Sequence, residues 1–382
     1  MARRASGWTW WLVAVAWLGT ACDDPDKGEP EPEAYAWRLP RWFPTPKVPA
    51  DNPMTEAKVQ LGRRLFYDER LSLNGTQACA SCHEQARAFT DGLVTPRGST
   101  GQVHRRNAQG LANVAFATSL TWANPALTTL EAQALVPLFG TEPVELGFAD
   151  RQDELVERLR ADPELAALFA EAFPGEAEPV SVASLARTLA SFQRALVSGN
   201  SAYDRYRYGG EVEAMSRQAK RGMELFFSER LECDHCHSGF NFQDATAHEA
   251  TPEPIFPFHN TGLYNEDGQG AYPAEDPGLI ELTGRAEDMG RFRASSLRNV
   301  AVTAPYMHDG SLATLGEVLD HYAAGGRARP IHGGKASPWQ SGFVRGFTLT
   351  PEEKEDVIAF LESLTDTEFR PDPRFSDPAI EP

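Results

Sequence analysis

The sequence predicts a mostly α-helical protein in which two related domains are connected by long loops. Three segments carry apolar residues at the spacing of an amphipathic helix: 151–173, 182–197 and 350–364. Alternating strand patterns are scarce. An ungapped repeat, GRRLFYDERL at 62–71 and GMELFFSERL at 222–231, shares six identical residues. Such self-similarity indicates two copies of one structural unit.

Each copy of the repeat precedes a C-x-x-C-H motif, CASCH at 79–83 and CDHCH at 233–237. A C-x-x-C pair alone fits a redox disulfide, half of a zinc site or covalent haem attachment. The histidine after the second cysteine favours haem, because the thiols would bond to the porphyrin and the imidazole would lie under the iron. A zinc site shared by the two motifs would leave both histidines unexplained.

The motifs therefore predict two c-type haems in two cytochrome c-like domains. The predicted attachment residues and proximal ligands are Cys79, Cys82, His83, Cys233, Cys236 and His237. Within the repeat, Leu65 and Phe66 in the first copy, and Leu225 and Phe226 in the second, are predicted to pack on the haems.

The N-terminus predicts export. Residues 1–22 combine two arginines, a short apolar run and small residues, which is typical of a signal peptide. Cys22 follows LGTA, which resembles a lipoprotein cleavage box, and simple cleavage near Ala21 is the alternative. The acidic, proline-rich segment 23–48 predicts an extended tether. We therefore expect a periplasmic protein, with a lipid anchor if Cys22 is modified.

The remaining chain divides into predicted domains at 49–200 and 201–368, with a tail at 369–382. The boundary falls near LVSGNSAYDRY, at 196–206. The formal net charge of −18 disfavours a nucleic-acid partner, because the phosphate backbone would be repelled. A basic or neutral protein partner, or a redox protein with a complementary patch, fits this charge better.

The segment LGEVLDHYAAGG, at 315–326, predicts a short amphipathic helix. Its inward face is formed by Leu315, Val318, Leu319 and Tyr322, and two glycines end it. A buried tyrosine needs a partner for its hydroxyl group. The spacing alone leaves that partner open.

The ligand opposite the proximal histidine at each haem distinguishes an electron carrier from an enzyme. An enzyme must leave this position open at one iron, beneath acid–base groups. Besides the proximal pair, the mature chain has histidines at 104, 235, 248, 259, 308, 321 and 332. In the N-terminal half only His83 and His104 are present. If His104 is not a ligand, the first iron is open.

Four ordered segments carry a family resemblance: RLFYDERLSLNGTQACASCHEQARAFTDG, HRRNAQGLAN, LEAQALVPLFGTEPVELG and LRNVAVTAPYMHDGSLATLGEVLDHY. They span roughly 50–365 and resemble the bacterial di-haem cytochrome c peroxidase and MauG superfamily. DNPMTEAKVQLGRRLFYDERLS and LTWANPAL are most similar to the MbnH-type di-haem enzymes. Those enzymes convert a tryptophan of a copper-binding partner to kynurenine.

The resemblance implies roles for several residues. The N-terminal haem of this chain, with His83 as its proximal ligand, would be five-coordinate and would bind peroxide. Glu145 matches a distal catalytic glutamate that shuttles a proton between the peroxide oxygens, and Gln133 matches a second distal group. Trp122 matches a tryptophan between the haems, although the usual FWDGR neighbourhood is TWANP here. By itself each of these residues also fits an ordinary structural position.

The resemblance further implies a calcium ion and a sixth ligand. Asn107, with the carbonyls of Thr303 and Pro305, matches the calcium ligands, and oxygen donors suit this cation. Tyr322 matches the sixth ligand of the second haem, which is Met in the peroxidases and Tyr in MauG-like members. Met307 and His321 are the rival ligands, and His321 points about 100° away from Tyr322 around the helix.

The resemblance thus implies an oxidase that uses hydrogen peroxide to form a bis-Fe(IV) state and oxidise an exported copper-binding protein. The alternative is a di-haem peroxidase that draws electrons from a small redox protein. A non-catalytic carrier is the third hypothesis, which an open first haem and Glu145 oppose. MauG passes oxidising equivalents through a surface tryptophan shortly before the second motif, where this chain has Leu231 and Glu232.

Overall fold

The fold is built from short helices joined by long loops, as predicted from the sequence. The computed structural model describes residues 33–328, 333 and 335–380. The helices are α1 (Glu56–Phe66), α2 (Leu130–Phe139), α3 (Gln152–Arg160), α4 (Pro163–Ala172), α5 (Val182–Ala195), α6 (Ala202–Arg207), α7 (Arg217–Phe226), α8 (Ile280–Thr283), α9 (Leu315–Ala323) and α10 (Pro351–Glu362). Over these residues, β structure is limited to isolated bridges. The predicted signal, Cys22, the first part of the tether and His332 lie outside the described residues.

Side-chain caps explain where the helices begin. The Thr314 hydroxyl accepts a hydrogen bond from the backbone of Glu317 at the start of α9, and Thr350 forms a capping box with Glu353 at the start of α10. The helical pattern 151–173 forms two helices instead of one. Asp162 caps α4, and the proline that follows it occupies the first turn.

The described part of the predicted tether lies along the folded body instead of extending away from it. Tyr35 and Trp37 pack against the first core. Phe43 is buried, and its ring lies 5.0 Å from that of Phe240 between centroids. Burial of these aromatic side chains explains why a segment of polar and proline-rich composition is held in place.

Two large clusters of buried apolar side chains form the cores. The first surrounds the contact between α1 and α5, and the second surrounds the contact between α7 and α10. The C-terminal tail returns to the first core, where Phe369 and Phe375 are buried. A smaller cluster, centred on Tyr272 and Phe292, includes Trp122 at its edge.

Among the helices of the described residues, none has the length and apolar character needed to cross a membrane.

Candidate functional site

The first C-x-x-C-H motif forms the wall of a cavity of about 280 Å³. A 3₁₀ turn, Cys79–Ser81, holds the first thiol. Cys82 and His83 line the same cavity, and Phe66 of α1 lies beside them. Neither thiol is in a disulfide. Two thiols and an imidazole in one partly apolar cavity match the donors that covalent haem attachment requires.

The second motif forms a larger cavity, of about 410 Å³. Cys233, Cys236 and His237 line it, together with Phe226 of α7. The donor set and the apolar wall therefore repeat those of the first cavity and fit a second haem equally well. Of the two apolar pairs, Phe66 and Phe226 line the cavities as expected, whereas Leu65 and Leu225 line neither of these two cavities. They pack in the two cores instead.

Both histidines of the motifs are oriented by a backbone carbonyl group. The Nδ1 atom of His83 lies 2.7 Å from the carbonyl oxygen of Phe89, and that of His237 lies 3.2 Å from the carbonyl oxygen of Phe242. Both phenylalanines have positive φ, 66° and 49°. Burial lowers the pKa of each imidazole. In each neutral imidazole, Nε2 is therefore the ring nitrogen that would bind iron.

Glu145 and Gln133, the two residues that the resemblance matched to distal groups, both line the first cavity. Burial raises the pKa of Glu145 to about 7, so the carboxyl group can both accept and return a proton near neutral pH. The backbone of Glu145 approaches Gly98 closely. A Cβ atom on Gly98 would lie 1.8 Å from the carbonyl oxygen of Val144, which makes glycine necessary there. Sequence reasoning missed this glycine.

His104 also lines the first cavity. Its Nε2 atom is buried and has no hydrogen-bond partner in the described part of the chain. Burial lowers the pKa of its imidazole. His104 is therefore near enough to the first haem site to remain the rival occupant of the open iron position.

Trp122 lines both cavities. Its indole Nε1 donates a hydrogen bond to the carbonyl oxygen of Asn107 at 2.8 Å, and its own carbonyl accepts one from the backbone of Arg293 at 2.8 Å. Trp122 is thus held between the two cavities through its indole and through its backbone. The family resemblance implied a tryptophan between the two haems, and Trp122 is the tryptophan that borders both cavities.

The three predicted calcium ligands, Asn107, Thr303 and Pro305, all border the second cavity. The side-chain amide of Asn107 donates hydrogen bonds to the carbonyls of Leu93 and Val94. Its Oδ1 atom can therefore act as the remaining acceptor, which fits the oxygen-donor set of a hard cation.

Tyr322 lines the second cavity with Leu315, Val318 and Leu319, the face predicted from the helical spacing. Burial raises the pKa of its phenol, and the nearby cysteines add to this. Proton loss would therefore need a cation such as iron nearby. His321 does not line the cavity, because its Nδ1 accepts a hydrogen bond from the backbone of Arg327 at 3.0 Å.

Met307, the other rival ligand, does line the second cavity. It lies in the loop before α9 and has a positive φ of 73°. Of the two rivals to Tyr322, Met307 therefore lines the same cavity and His321 does not.

Two further groups at the second cavity carry no sequence signal that would have identified them. The Nε2 atom of His259 lies 2.6 Å from a carboxylate oxygen of Asp244. Burial opposes protonation of His259, but Asp244 and Cys236 raise its pKa to about 10. These three side chains offer ligand atoms within 4.8 Å of one another. Because the thiol of Cys236 is needed for haem attachment, we assign the cluster to the haem environment.

Arg293 is the second such group. It is buried beside Trp122, and its guanidinium donates hydrogen bonds to Gln109 and to the carbonyl oxygen of Thr121. Burial lowers the pKa of Arg293 to about 10, so the side chain remains a cation at neutral pH. This charge lies between the two cavities.

Two cavities with the donors of c-type haem, joined by one indole and with a buried carboxyl group in the first, define a di-haem oxidoreductase. The model of the family described as di-haem cytochrome c peroxidase matches residues 56–212. The methylamine utilization protein MauG of Methylorubrum extorquens is 36% identical over 330 residues, which cover 86% of this chain and 83% of that protein. The chain belongs to the di-haem cytochrome c peroxidase family and is a peroxide-dependent oxidoreductase with two haems.

Two other similar proteins have different functional descriptions. Cytochrome-c peroxidase IdrP1 of Denitromonas iodatirespirans is 38% identical, and the match covers 85% of this chain and 86% of that protein. The crystal structure of a MauG-like protein associated with microbial copper homeostasis is 51% identical and superposes with a TM-score of 0.87. It covers 91% of this chain and 100% of that one. Both comparisons extend over nearly the whole described fold.

Proposed function

We propose that this protein is a MauG/MbnH-like di-haem oxidase that uses hydrogen peroxide to oxidise a protein partner. The substrate is a tryptophan of an exported copper-binding protein, and the product is kynurenine. The 51% identity to a MauG-like protein associated with copper homeostasis supports this choice. The two haem domains, 49–200 and 201–368, work in the periplasm, and the export segment brings them there.

The observation that carries the proposal is the tyrosine in the second cavity. A hard, anionic phenolate disfavours reduction of iron, so Tyr322 favours storage of an oxidising equivalent over uptake of electrons from a cytochrome. His83 and His237 are the proximal ligands, and the four motif cysteines hold the porphyrins. When bound, the haems supply the iron that reacts with peroxide and stores oxidising equivalents.

The other residues move protons and charge. Glu145 carries a proton between the two oxygens of peroxide, and Gln133 holds the peroxide beside it. Trp122 connects the two haem sites, because a shared indole shortens the distance that charge must cross. A calcium ion bound by Asn107, Thr303 and Pro305 fixes the loops around that indole.

Replacement of the proposed ligand tests this function. In the Tyr322→Phe holoprotein, peroxide should no longer produce the near-infrared absorption of the two-equivalent oxidised state. Tyr306→Phe is the matched control, because Tyr306 lines the same cavity but donates its hydroxyl proton to the carbonyl oxygen of Val300 at 3.0 Å. An unchanged near-infrared spectrum in Tyr322→Phe would contradict the ligand assignment.

The substrate is tested by incubating the holoprotein and peroxide with the exported copper-binding protein encoded by a neighbouring gene. Mass spectrometry should detect a tryptophan converted to kynurenine in that protein. If no residue of the neighbour changes mass while the near-infrared state still forms, the proposed substrate is wrong.

A di-haem peroxidase is the second candidate, and Met307 is the observation that favours it. This thioether lines the second cavity, and a Met ligand would give a high-potential haem that accepts electrons. The similarity to IdrP1 is consistent with this. Under this alternative, peroxidase activity would require prior reduction of the second haem. Met307→Leu would abolish that activity, and Tyr322→Phe would leave it intact.

A further inference from the structure

Aromatic side chains lead from the second haem site to the protein surface. The carbonyl group of Phe242 orients His237, and the Phe242 ring lies 5.0 Å from the ring of Tyr203 between centroids. The next centroid distance, from Tyr203 to Tyr208, is 6.1 Å. Tyr208 is stacked on Trp42 at 5.9 Å with an interplanar angle of 18°. We call Tyr203, Tyr208 and Trp42 the aromatic relay.

Exposure and chemistry change along the relay. Phe242 is fully buried and Tyr203 nearly so, whereas Tyr208 and Trp42 are partly exposed. Phenol and indole side chains can lose one electron to a strong oxidant. The phenyl ring of Phe242 is much harder to oxidise, so it contributes only packing contacts. The oxidisable groups therefore begin one ring away from the proximal histidine and end at the surface.

MauG passes oxidising equivalents through a surface tryptophan shortly before the second C-x-x-C-H motif, and this chain has no oxidisable side chain at that position. Leu231 is buried and aliphatic, and Glu232 carries a carboxylate on a backbone with a positive φ of 53°. Neither side chain can be oxidised by one electron. The oxidising equivalent must therefore leave by another route.

We propose that the aromatic relay is the exit route, with Trp42 as the residue from which the partner is oxidised. This inference rests on the proposed oxidase function and identifies the docking point of the partner as the surface around Trp42. It makes Tyr203, Tyr208 and Trp42 residues of the reaction, although they line neither haem cavity.

Electrons and protons balance along this route. An electron leaves Tyr203 for the second haem site, Tyr208 refills Tyr203, Trp42 refills Tyr208, and the partner indole refills Trp42. While oxidised, Tyr203 gives its phenolic proton to the hydroxyl group of Tyr208, to which it is hydrogen-bonded, and the partly exposed Tyr208 gives a proton to solvent. Each proton returns by the same path when the ring is refilled. Two such passages remove two electrons, which equals the two that one hydrogen peroxide takes up, with two protons, in forming two molecules of water. Conversion of the partner indole to kynurenine is a four-electron oxidation that takes its oxygen atoms from water and releases one carbon as formate, so it needs four passages and two molecules of peroxide.

The surroundings of Trp42 favour a strongly oxidising exit. Its Nε1 atom is buried and has no hydrogen-bond partner among the described residues, so an oxidised indole keeps its proton and stays a radical cation. The guanidinium of Arg41 lies 5.9 Å from the Trp42 ring, and that of Arg207 lies 5.7 Å from the Tyr208 ring. A nearby cation raises the free energy of an oxidised ring, which makes it a stronger oxidant.

A buried ion pair holds the inner end of the relay in place. Arg298 binds Asp204, the neighbour of Tyr203 on α6, through two hydrogen bonds of 2.8 and 3.0 Å. The same guanidinium lies over the rings of Phe43 and Phe242. This pair therefore connects the chain segment of Trp42 to the helix that carries Tyr203 and ends next to Tyr208.

The first test treats the diferric holoprotein with peroxide in the absence of any partner and maps oxidised residues by peptide mass spectrometry. Wild type should accumulate oxygen adducts at Trp42 and Tyr208. Tyr208→Phe, which keeps the stacked ring, should lower the adducts at Trp42 about tenfold or more. Trp37→Phe is the matched control, because Trp37 is also partly exposed but pairs with Tyr35 outside the relay.

The second test measures modification of the copper-binding partner. Trp42→Phe and Tyr208→Phe should form the near-infrared state at the wild-type rate but modify the partner about tenfold more slowly or less. Wild-type rates in both variants, with adducts spread equally over Trp37 and Trp42, would overturn the relay. Failure of the proposed function has a different signature, because the near-infrared state would then be missing from wild type as well.

Discussion

At the scale of single residues, burial gives Glu145 the pKa that the proposed proton shuttle needs. This residue lines the first cavity, where loss of solvent raises the pKa of its carboxyl group to about 7. The raised value means that the carboxylate form is reached only as pH passes through neutrality. A proton shuttle must first accept a proton, so it needs that form.

We predict that the reaction of the first haem with peroxide becomes faster as pH rises through about 7, because the folded-state pKa of Glu145 lies there. Glu145→Gln should remove this pH dependence and slow the reaction about 10²–10⁴-fold. Stopped-flow spectra at several pH values measure both effects. Glu142→Gln, at an exposed position of the same loop, should behave as wild type. A pH profile that persists in Glu145→Gln would show that another group is responsible.

At the scale of helices, the internal repeat has a packing explanation. The repeat glycines Gly62 and Gly222 lie where α1 crosses α5 and where α7 crosses α10. A Cβ atom on Gly62 would lie 2.0 Å from the carbonyl oxygen of Thr188, and one on Gly222 would lie 1.8 Å from that of Asp356. Only glycine lets these backbones approach so closely.

We predict that Gly62→Ala or Gly222→Ala lowers the free energy of unfolding by about 1–3 kcal/mol or more, because the added methyl group forces the helices apart. Gly316→Ala is the matched control within a helix, since its nearest neighbour would be 3.5 Å away. That control should be neutral or stabilising by about 0.5–1 kcal/mol. Equilibrium denaturation of the holoproteins measures all three. Equal stability of the three variants would contradict the close-crossing explanation.

At the scale of the whole molecule, the C-terminal tail packs against the first core beside the first haem motif. Phe369 lies 5.8 Å from Phe89 between ring centroids, and the carbonyl of Phe89 orients His83. The side chain of Gln85 donates a hydrogen bond to the carbonyl oxygen of Asp372 at 2.8 Å. The end of the chain therefore supports the loop that follows the first haem motif.

We predict that Phe369→Ala lowers the free energy of unfolding by about 3–5 kcal/mol, because it leaves a cavity in the first core. It should also change the spectrum of the first haem more than that of the second. Ile380→Ala, in the same tail but 69% exposed, should have no comparable effect. Denaturation followed by haem absorption measures both. A loss of stability with an unaltered first-haem spectrum would refute the link to His83.

Local sequence patterns predicted much of the fold and part of the candidate site. The spacing of Leu315, Val318, Leu319 and Tyr322 correctly predicted the inward face of α9. The apolar pattern at 151–173 predicted one helix, whereas the structure has two. The break falls at Asp162 and the proline that follows it, which together cap the second of these helices. The acidic, proline-rich composition of 23–48 predicted an extended tether, whereas its described part packs on the fold through Tyr35, Trp37 and Phe43. Composition does not show which aromatic side chains will be buried.

By itself, the sequence determined the helical class, the two haem motifs and the helix face that carries Tyr322. These depend on covalent spacing and on helical periodicity, which are local properties. Only the tertiary structure decided that Trp122 borders both cavities, that Gly98 admits Glu145 and that Tyr203, Tyr208 and Trp42 form a line to the surface. Those residues are far apart in the chain. Their contacts depend on how the cores pack, and no local pattern records that packing.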